Sequence, residues 1–557
     1  MDPRLKVILY GNPDEELSLL MRLEKEKDYP DHCKIISEFG KIVSIRTKRR
    51  FLLTIYNSKK VKSLKAPSVV PANQAIEQDF ENQVLEKKND VTDNGVSNVV
   101  FGIIDFGFDF THPDFIVDGK TRFENIWVQS DRYDGNQYGY GRIITKAQIN
   151  EALLDEFPFK KLGYHPGKSD LFGSGTHGTH VLGIACGNGA VAARSFAPNV
   201  PIVAVDLGLN NINGSNLSLG DSVKTCEGLH FCISKAYERP LVTNMSLGGH
   251  GDAHTGQTLL EQVIDYILTS RKGTAIVQST GNYHQANVHC YGDIKPNQKI
   301  KIPWMFKKND RTPNEMEIWY HGDDVLSVNI YDDNQKLLLS STPFKDEMIV
   351  KDDDEVGICL HRCNEPNTGK NQINILINGK LNSKFWTIEL VGRTVKNGRY
   401  HCYIERDDGG QSIFLPAVAN KTHTTNSICN SKYSIVVGAY NQDDETKPIL
   451  SFSSSGPTVD GRMKPELVAP GFKIKSSCSS SSRENRASNK LTAKSGSSMA
   501  APYVASLVMK ILEKEPDLDI KAIRKKLFDA CDTAFFKDNN FEVFRAGHGY
   551  INPNKIT

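Results

Sequence analysis

The segment that most constrains this chain covers residues 494–502 and reads K-S-G-S-S-M-A-A-P. Gly496 allows a tight turn, and the apolar run at residues 499–512 is expected to form a helix with Ser498 at its start. The first N–H groups of a helix have no partner within the helix, and the helix dipole is positive at that end. A serine there is suited to attacking a carbonyl group. Small residues often open buried helices, however, so this segment alone is weak support for catalysis.

Four upstream segments carry the groups that such a serine needs. Residues 98–105 form an apolar run that ends in Asp105, as expected of a buried parallel strand with a carboxylate at its C-terminal end. The remaining segments are G-S-G-T-H-G-T-H-V-L-G at 173–183, N-M-S-L-G-G at 244–249 and A-I-V-Q-S-T-G-N at 275–282. An acid, a histidine and an asparagine therefore precede the serine.

These segments together resemble those of the subtilisin-like serine proteases. D-F-G at 105–107 with H-P-D at 112–114 resembles the aspartate segment, and residues 173–183 resemble the histidine segment. Residues 244–249 resemble the substrate-binding strand, 275–282 the strand that ends in the oxyanion asparagine, and 494–502 the nucleophile segment. Acid, base and then serine is the subtilisin order, which differs from the chymotrypsin and α/β-hydrolase orders.

The resemblance implies a role for each matched residue. Ser498 would be the nucleophile, His177 its general base and Asp105 the acid that orients the histidine. The Asn282 amide and the Ser498 N–H would bind the oxyanion. The implied substrate-binding residues are Ser246, Leu247, Gly248 and Gly281. The implied fold is a doubly wound α/β sheet of parallel strands.

Taken singly, each residue has an ordinary interpretation. Asp105 or Asn282 could be a turn residue, and His177 could lie in the core or on the surface. His180 is interpreted as a packing residue, because the first histidine of H-G-T-H has the catalytic role in the family. One departure is Phe106, which follows Asp105 where the family usually has a threonine or serine that can donate a hydrogen bond.

Length and composition limit the classes of protein to which this chain can belong. A length of 557 residues predicts two or three units. A net charge of +2 gives no reason to expect nucleic-acid binding, and no apolar stretch is long enough for a membrane span. The N-terminus lacks a signal-peptide core, so we expect an intracellular protein. Eleven cysteines without regular spacing indicate a reducing compartment, and C-L-H-R-C at 359–363 lacks the second pair of a zinc site, so no metal ligands are predicted.

The N-terminal region, residues 1–76, resembles a subtilisin propeptide, which would be a ferredoxin-like α+β unit. Its pattern predicts strands at 5–10, 33–45 and 51–56, and a helix with an apolar face of Leu17, Leu20, Met21 and Leu23. Residues 61–70 resemble the last helix and strand of the propeptide, and 71–76 would cross the active-site cleft. Residues 77–97 are polar and predict a linker. An unrelated small domain is the alternative.

A β-rich insertion interrupts the protease segments. A compact subtilisin needs far less chain between Asn282 and the segment near residue 450. Residues 326–330, 373–377 and 386–390 alternate with period two, and Asn-Gly turns follow at 378 and 397. We therefore predict an inserted antiparallel sandwich or jelly roll at 290–412, which divides the catalytic domain into 98–289 and 413–557.

A propeptide, a β-rich insertion and no signal peptide resemble the clostridial spore germination proteases, the Csp group. That resemblance implies a spore-packaged protease that cleaves its own propeptide and activates a cortex-lytic hydrolase zymogen. Its implied partners are this protein substrate, the propeptide and related germination proteases. A regulatory pseudoprotease on the same scaffold is the alternative. No cofactor is required; calcium, which many subtilisins bind, has no assignable ligands here.

Overall fold

The computed structural model describes residues 1–68, 95–170, 173–208, 221–307, 313–378, 385–405, 412–487, 489–534 and 543–556. It describes only the backbone of three further short strands, at 83–84, 210–212 and 216–218. The predicted cleft-crossing segment 71–76 therefore lies outside the described residues, as does most of the predicted linker 77–97.

The N-terminal unit is a four-stranded antiparallel sheet with two short helices. Its elements are α1 (Pro3–Val7), β1 (Glu16–Leu23), β2 (Lys34–Phe39), β3 (Ile42–Lys48), a 3-10 turn (Arg49–Phe51), α2 (Leu52–Tyr56) and β4 (Val61–Lys65). The strand order is β2-β3-β1-β4. No helix is described between β1 and β2.

Three predictions for this unit are wrong. Residues 5–10 begin in a helix, because Asp2 accepts the N–H of Leu5 as N-cap and a proline occupies the first turn. Residues 51–56 are helical as well. The predicted helix over Leu17–Leu23 is strand β1, and both faces of this strand are buried. Leu19 and Met21 pack in the core of the N-terminal unit. Leu20 packs in the core of the body, which is the chain outside the N-terminal unit and the two sheets of residues 289–414. Burial on both faces hides the period-two alternation of a strand.

The described residues of the first part of the body contain six strands of a large sheet, together with strands of smaller sheets. Its strands are β5 (Gln83–Val84), β6 (Val100–Asp105), β7 (Ile116–Val117), β8 (Lys120–Thr121), β9 (Phe123–Val128), β10 (Arg142–Thr145), β11 (Ile202–Asp206), β12 (Asn210–Ile212), β13 (Asn216–Ser218), β14 (Leu241–Met245) and β15 (Thr274–Ser279). Those of the large sheet are β6, β9, β10, β11, β14 and β15. Its helices are α3 (Lys146–Leu153), α4 (Pro158–Leu162), α5 (His177–Cys186), α6 (Ser222–Ala236) and α7 (Leu259–Ser270), with 3-10 turns at Pro113–Phe115 and Pro166–Ser169.

Residues 289–414 form two antiparallel sheets. The strands are β16 (His289–Asp293), β17 (Lys299–Met305), β18 (Asn314–Tyr320), β19 (Val325–Tyr331), β20 (Leu337–Ser340), β21 (Glu347–Lys351), β22 (Asp354–Arg362), β23 (Asn371–Ile377), β24 (Phe385–Thr394), β25 (Arg399–Ile404) and β26 (Ile413–Phe414). The strand orders are β16-β25-β18-β23-β22-β21 and β20-β19-β24-β17-β26. Both sheets contribute to one hydrophobic core, which is separate from that of the body. The strands predicted from alternation at 326–330, 373–377 and 386–390 are confirmed.

The second part of the body completes the large sheet. Its elements are β27 (Ile435–Tyr440), β28 (Leu467–Pro470), β29 (Ile474–Ser477), β30 (Lys490–Lys494), α8 (Ser497–Lys514), α9 (Ile520–Asp529), β31 (Cys531–Asp532), α10 (Val543–Ala546), β32 (Tyr550–Ile551) and a 3-10 turn (Pro553–Lys555). The ten-stranded order is β10-β9-β11-β6-β14-β15-β27-β28-β32-β31, antiparallel only at its two edges.

Helices enclose this sheet. The central strands β6, β11, β14 and β15 are buried along their whole length, as in parallel sheets with helices on both faces. The helix predicted for residues 499–512 is confirmed as α8, and it packs against β14, β15 and β27. In such sheets, functional groups gather at the carboxyl ends of the strands. Among the described residues, no helix is both long enough and apolar enough to cross a membrane.

Candidate active site

Asp105 is the last residue of β6 and lies near the middle of the large sheet. Its carboxylate accepts hydrogen bonds from the backbone N–H of Phe106 at 2.8 Å and from Nδ1 of His177 at 2.8 and 2.9 Å. The contact with both oxygens fixes the plane of the imidazole ring. It also holds a proton on Nδ1, which leaves Nε2 as the basic nitrogen of a neutral ring.

His177 begins α5, and the first turn of that helix is docked on the loop after Asp105. The N–H of Gly178 donates to the carbonyl of Phe106 at 2.9 Å, and the hydroxyl of Thr176 donates to the carbonyl of Gly107 at 2.7 Å. A Cβ atom at position 178 would lie 2.6 Å from the Phe106 carbonyl oxygen. Only glycine allows this approach, so the G in H-G-T-H sets the distance between the histidine and the aspartate.

The side chain of Phe106 lies beside the imidazole of His177. Its ring stacks on His177 with centroids 5.4 Å apart and planes 10° from parallel. The side chain has no hydroxyl to donate to Asp105, but its backbone N–H makes that bond. The departure from the family pattern therefore leaves Asp105 oriented and places an aromatic ring against the imidazole.

Ser498 is the second residue of α8 and is fully buried. The preceding Ser497 connects it to Asn282, because the backbone N–H and the hydroxyl of Ser497 both donate to Asn282 Oδ1 at 3.1 Å. The amide orientation of Asn282 is thereby set, and its Nδ2 points away from these two donors. The N–H of Gly281 donates in turn to the Ser497 hydroxyl at 3.1 Å.

Each of the predicted residues His177, Ser498 and Asn282 has one buried polar atom that makes no hydrogen bond to any described residue: His177 Nε2, Ser498 Oγ and Asn282 Nδ2. A base nitrogen, a hydroxyl and an amide donor are the groups that acyl transfer to serine requires. The Ser498–His177 hydrogen bond itself is not made here, and such bonds are often long before substrate binds.

The predicted substrate-binding residues lie beneath the nucleophile segment. Ser246 is 2% exposed, and its hydroxyl donates to the carbonyl of Ser498 at 3.2 Å. The carbonyl of Leu247 accepts from Asn426 Nδ2 at 3.4 Å, and that of Gly248 accepts from the Tyr283 hydroxyl at 3.2 Å. Gly281 contacts Ser497, as described above. These contacts connect the four residues to the site; no contact with a substrate is described.

Asn426 is a residue that the sequence did not reveal. Its Nδ2 donates to the carbonyls of Ser279 and Leu247, and its N–H donates to the carbonyl of Thr280 at 2.9 Å. A Cβ atom on Gly248 or Gly281 would lie 2.9 or 2.5 Å from the Asn426 side chain. Asn426 thus bridges the loops after β14 and β15. It lies in the run T-T-N-S, which matches no segment pattern, so no local signal identifies it.

A second buried carboxyl group adjoins the site. Asp206 ends β11 directly opposite Asp105 in the strand register. Burial raises the pKa of Asp206 to about 6, although the Tyr164 hydroxyl donates to it at 2.6 Å and the Gly208 N–H at 2.9 Å.

The two other histidines of the motifs are bound elsewhere. His180 Nε2 lies 3.0 Å from the carbonyl of Ile474, and His112 Nε2 lies 3.1 Å from that of Lys490.

The C-L-H-R-C segment at 359–363 and a separate group of histidines are the candidates for metal binding. All eleven cysteines are free, and Cys359 Sγ lies 3.8 Å from His361 Nε2 while Cys363 is exposed. Among the described residues, the single cluster of three or more His, Cys, Asp or Glu side chains that could hold an ion is formed by His289, His401 and His423.

Comparison with known proteins agrees with this geometry. The family model Peptidase_S8, the subtilase family, matches residues 96–350 and 382–549. The serine protease AprX of Bacillus subtilis is 32% identical over 143 residues, which are 25% of this chain and 30% of AprX. The C5a peptidase of Streptococcus pyogenes is 23% identical over 519 residues, which cover 83% of this chain and 39% of that protein. The chain therefore spans less than half the length of these curated relatives.

Among solved structures, the CspB protease of Clostridium perfringens superposes with a TM-score of 0.69 at 23% identity, covering 83% of this chain and 92% of that one. At this identity the superposition shows a shared fold. The family model, by contrast, matches well over half of the chain in sequence. It includes the five segments around Asp105, His177, Ser246, Asn282 and Ser498. The chain belongs to the subtilase family.

Proposed function

We propose that this protein is a serine endopeptidase of the subtilisin type, with Ser498 as nucleophile, His177 as general base and Asp105 as the orienting acid. One observation carries the proposal. The base nitrogen of His177, the hydroxyl of Ser498 and the amide nitrogen of Asn282 are all buried and unpaired, while the remaining polar atoms of these side chains are held by Asp105 and Ser497. These contacts fix the base and the oxyanion donor with their reactive atoms free.

The reaction follows from these contacts. Ser498 Oγ attacks the carbonyl carbon of the peptide bond while its proton passes to His177 Nε2. The imidazolium that forms is stabilised by Asp105 and returns the proton to the leaving amine as the C–N bond breaks. Asn282 Nδ2 and the N–H at the start of α8 bind the oxyanion; in subtilisin, loss of one such donor costs about 100–1000-fold in turnover. Water then releases the acyl group by the same steps in reverse order.

The N-terminal unit is proposed to be the propeptide. Its contacts with the body support this assignment: Arg46 forms a buried bidentate ion pair with Glu227 at 2.9 and 2.8 Å. At the end of the unit, the backbone of Ser68 exchanges two hydrogen bonds with Ser222. Residue 68 is therefore held against the body, and the residues that follow it are proposed to cross the cleft and to be cut once, between about residues 73 and 77. A substrate tethered in this way has a high effective concentration.

For the physiological role, we propose limited proteolysis of a cortex-lytic hydrolase zymogen during spore germination. The combination of a propeptide-like unit and a β-rich insertion after Asn282 resembles the Csp group, and the fold is shared with the CspB protease. The protein would then be packaged in the spore, with its own propeptide and related germination proteases as partners. The two sheets at 289–414 would brace the catalytic body.

The pseudoprotease alternative rests on Phe106, which follows Asp105 in place of a hydroxyl residue, and on a propeptide that would stay bound. A fluorophosphonate probe distinguishes the two functions, because it reacts only with an activated serine. We expect the wild-type protein to be labelled and Ser498→Ala to remain unlabelled, with turnover of peptide substrates lower by about a millionfold. Equal labelling of both proteins would refute the assignment of the nucleophile. No labelling of the folded wild type would favour the pseudoprotease.

Mass spectrometry of the same two proteins tests self-processing. We expect the wild type to be cut once between about residues 73 and 77 and the alanine variant to stay intact. The two fragments should co-purify, because the Arg46–Glu227 ion pair does not depend on the connection. Cleavage of both proteins at one site would point to a different protease.

A further inference from the structure

Three histidines from distant parts of the chain meet where the inserted sheets join the body. His289 lies on β16 and His401 on the adjacent strand β25, where the register pairs His289 with Tyr403 and Tyr291 with His401. His423 lies in the segment that returns from β26 to the body. Each residue offers one ligand nitrogen, and the three nitrogens all lie within 4.8 Å of one another.

The spacing approaches that of a metal site. His289 Nε2 and His401 Nδ1 are 3.2 Å apart. In a tetrahedral zinc site with Zn–N bonds of about 2.0–2.1 Å, neighbouring nitrogens are separated by about 3.3 Å. One edge of the tetrahedron therefore already has the required length. His423 completes the set through a small movement of a half-buried side chain on a connecting segment.

The cluster lies inside the fold. His289 is fully buried, and the 3.2 Å approach of its Nε2 to His401 Nδ1 is a hydrogen bond between two imidazoles, which a bound ion would replace. The backbone is built around the cluster, because the Asn420 N–H donates to the His289 carbonyl at 2.8 Å and the Asn420 side chain accepts the Tyr291 N–H at 2.9 Å. These bonds hold the segment that carries His423 against β16.

Burial favours the neutral form of all three imidazoles, which is the form that binds a metal. Burial lowers the pKa of His289 well below its usual value, that of His401 to about 2 and that of His423 to about 4. Lys370 and Arg399 also lower the pKa of His401. The Arg399 charge is balanced by Asp293, at 2.8 and 3.0 Å. A donor set of imidazoles without carboxylates suits zinc better than calcium or magnesium.

We propose that His289, His401 and His423 form a binding site for one Zn²⁺ ion. The ion would connect the inserted sheets to the segment 415–426. That segment also contains Asn426, three residues after His423, which bridges the loops below the nucleophile. The site lies outside the catalytic machinery and is a candidate clamp between the insertion and the body.

The test uses the full chain, freed of metal by a chelator and then titrated with Zn²⁺, Ca²⁺ or Mg²⁺ by calorimetry. We expect one equivalent of Zn²⁺ to bind, and neither of the other two ions to compete. Replacement of Zn²⁺ by Co²⁺ should give the visible absorption of tetrahedral cobalt. His423→Asn and His401→Gln should weaken Zn²⁺ binding at least about 100-fold, since even loss of an outer hydrogen-bond partner commonly costs about 10–100-fold.

The variants are chosen so that folding does not obscure the result. His423 has φ 59°, a left-handed conformation that asparagine tolerates, and the melting of the metal-free variant reports whether the fold is kept. The exposed His321 in the same insertion provides a matched control, so His321→Ala should bind zinc as the wild type does. The proposal is overturned if no zinc binds, or if zinc still binds to folded His423→Asn and His401→Gln. It is also overturned if zinc is lost in His177→Ala instead, since the ion would then occupy the active site.

Discussion

Replacement of Gly178 by alanine should disturb the active site through a single steric contact. The new Cβ would lie 2.6 Å from the Phe106 carbonyl oxygen and 2.8 Å from the Phe108 ring. Ordinary contact begins near 3.4 Å, so the start of α5 must move by about 0.8 Å. The moving atoms include His177, which is the neighbouring residue and depends on bonds of 2.8 and 2.9 Å to Asp105.

Two magnitudes follow from this displacement. Inserting a methyl group into a packed site costs about 1–3 kcal/mol in unfolding free energy. A shift of about 1 Å in catalytic geometry can lower the rate about 100-fold. We therefore expect Gly178→Ala to remain folded with a lower melting temperature, and to react about 100-fold more slowly with a fluorophosphonate probe.

The control for this variant is Gly228→Ala in α6. There the nearest atom to a Cβ is the end of the Ile104 side chain at 3.2 Å, and alanine favours a helix interior by about 1 kcal/mol over glycine. This variant should melt and react as the wild type does. If Gly178→Ala reacted with the probe at the wild-type rate, the docking of α5 on the Phe106 carbonyl could not be what positions His177.

Three further predictions concern Phe106, Glu227 and Asp206. Phe106→Leu removes the aromatic face against which the imidazolium forms, and loss of about 0.5–1 kcal/mol of cation–π stabilisation should slow turnover about twofold to fivefold, measured as kcat/KM. Glu227→Ala leaves Arg46 buried without its partner and should lower the stability of the N-terminal sheet by about 3–5 kcal/mol, measured by hydrogen exchange in β3. The control Asp14→Ala breaks an exposed ion pair with Lys48 and should change the stability far less; equal effects would contradict the burial argument. Asp206 has a folded pKa of about 6 against an unfolded value of 3.8, so its stabilising contribution is complete below pH 3.8 and is lost as pH rises through 6. In the wild type, the unfolding free energy should therefore fall by about 3 kcal/mol as the pH rises from 3.8 to 6. Asp206→Asn should abolish this fall. If the variant and the wild type had the same pH profile, Asp206 would titrate normally.

The parts of the site that could be predicted from sequence are those that local segments encode. A buried apolar run places Asp105 at a strand end, and H-G-T-H places His177 at a helix start, so the contact between these residues follows from two short patterns. The start of α8 beside Ser498 follows in the same way from the apolar run after it.

Other features depend on contacts between distant segments. Asn426 acquires its position only when the loops after β14 and β15 meet, and the histidines at 289, 401 and 423 have no spacing that relates them. In the N-terminal unit, β1 is buried on both faces because it lies between its own helices and the body, so its apolar residues imitate a helical face. The spacing of apolar residues along the sequence reveals the element type when one face is buried. It does not distinguish a strand from a helix when both faces of the strand are buried.

The neighbouring carboxyl groups of Asp105 and Asp206 show how the sheet prepares the site. Parallel pairing brings both groups to the same edge, and two adjacent buried charges would repel each other. Their partners separate their roles. Asp105 receives only N–H groups, from Phe106 and His177, whereas Asp206 is buried beneath Tyr164 and has a raised pKa. Below about pH 6, Asp206 is therefore neutral and adds no repulsion. Above that pH Asp206 is charged, on the strand next to that of Asp105.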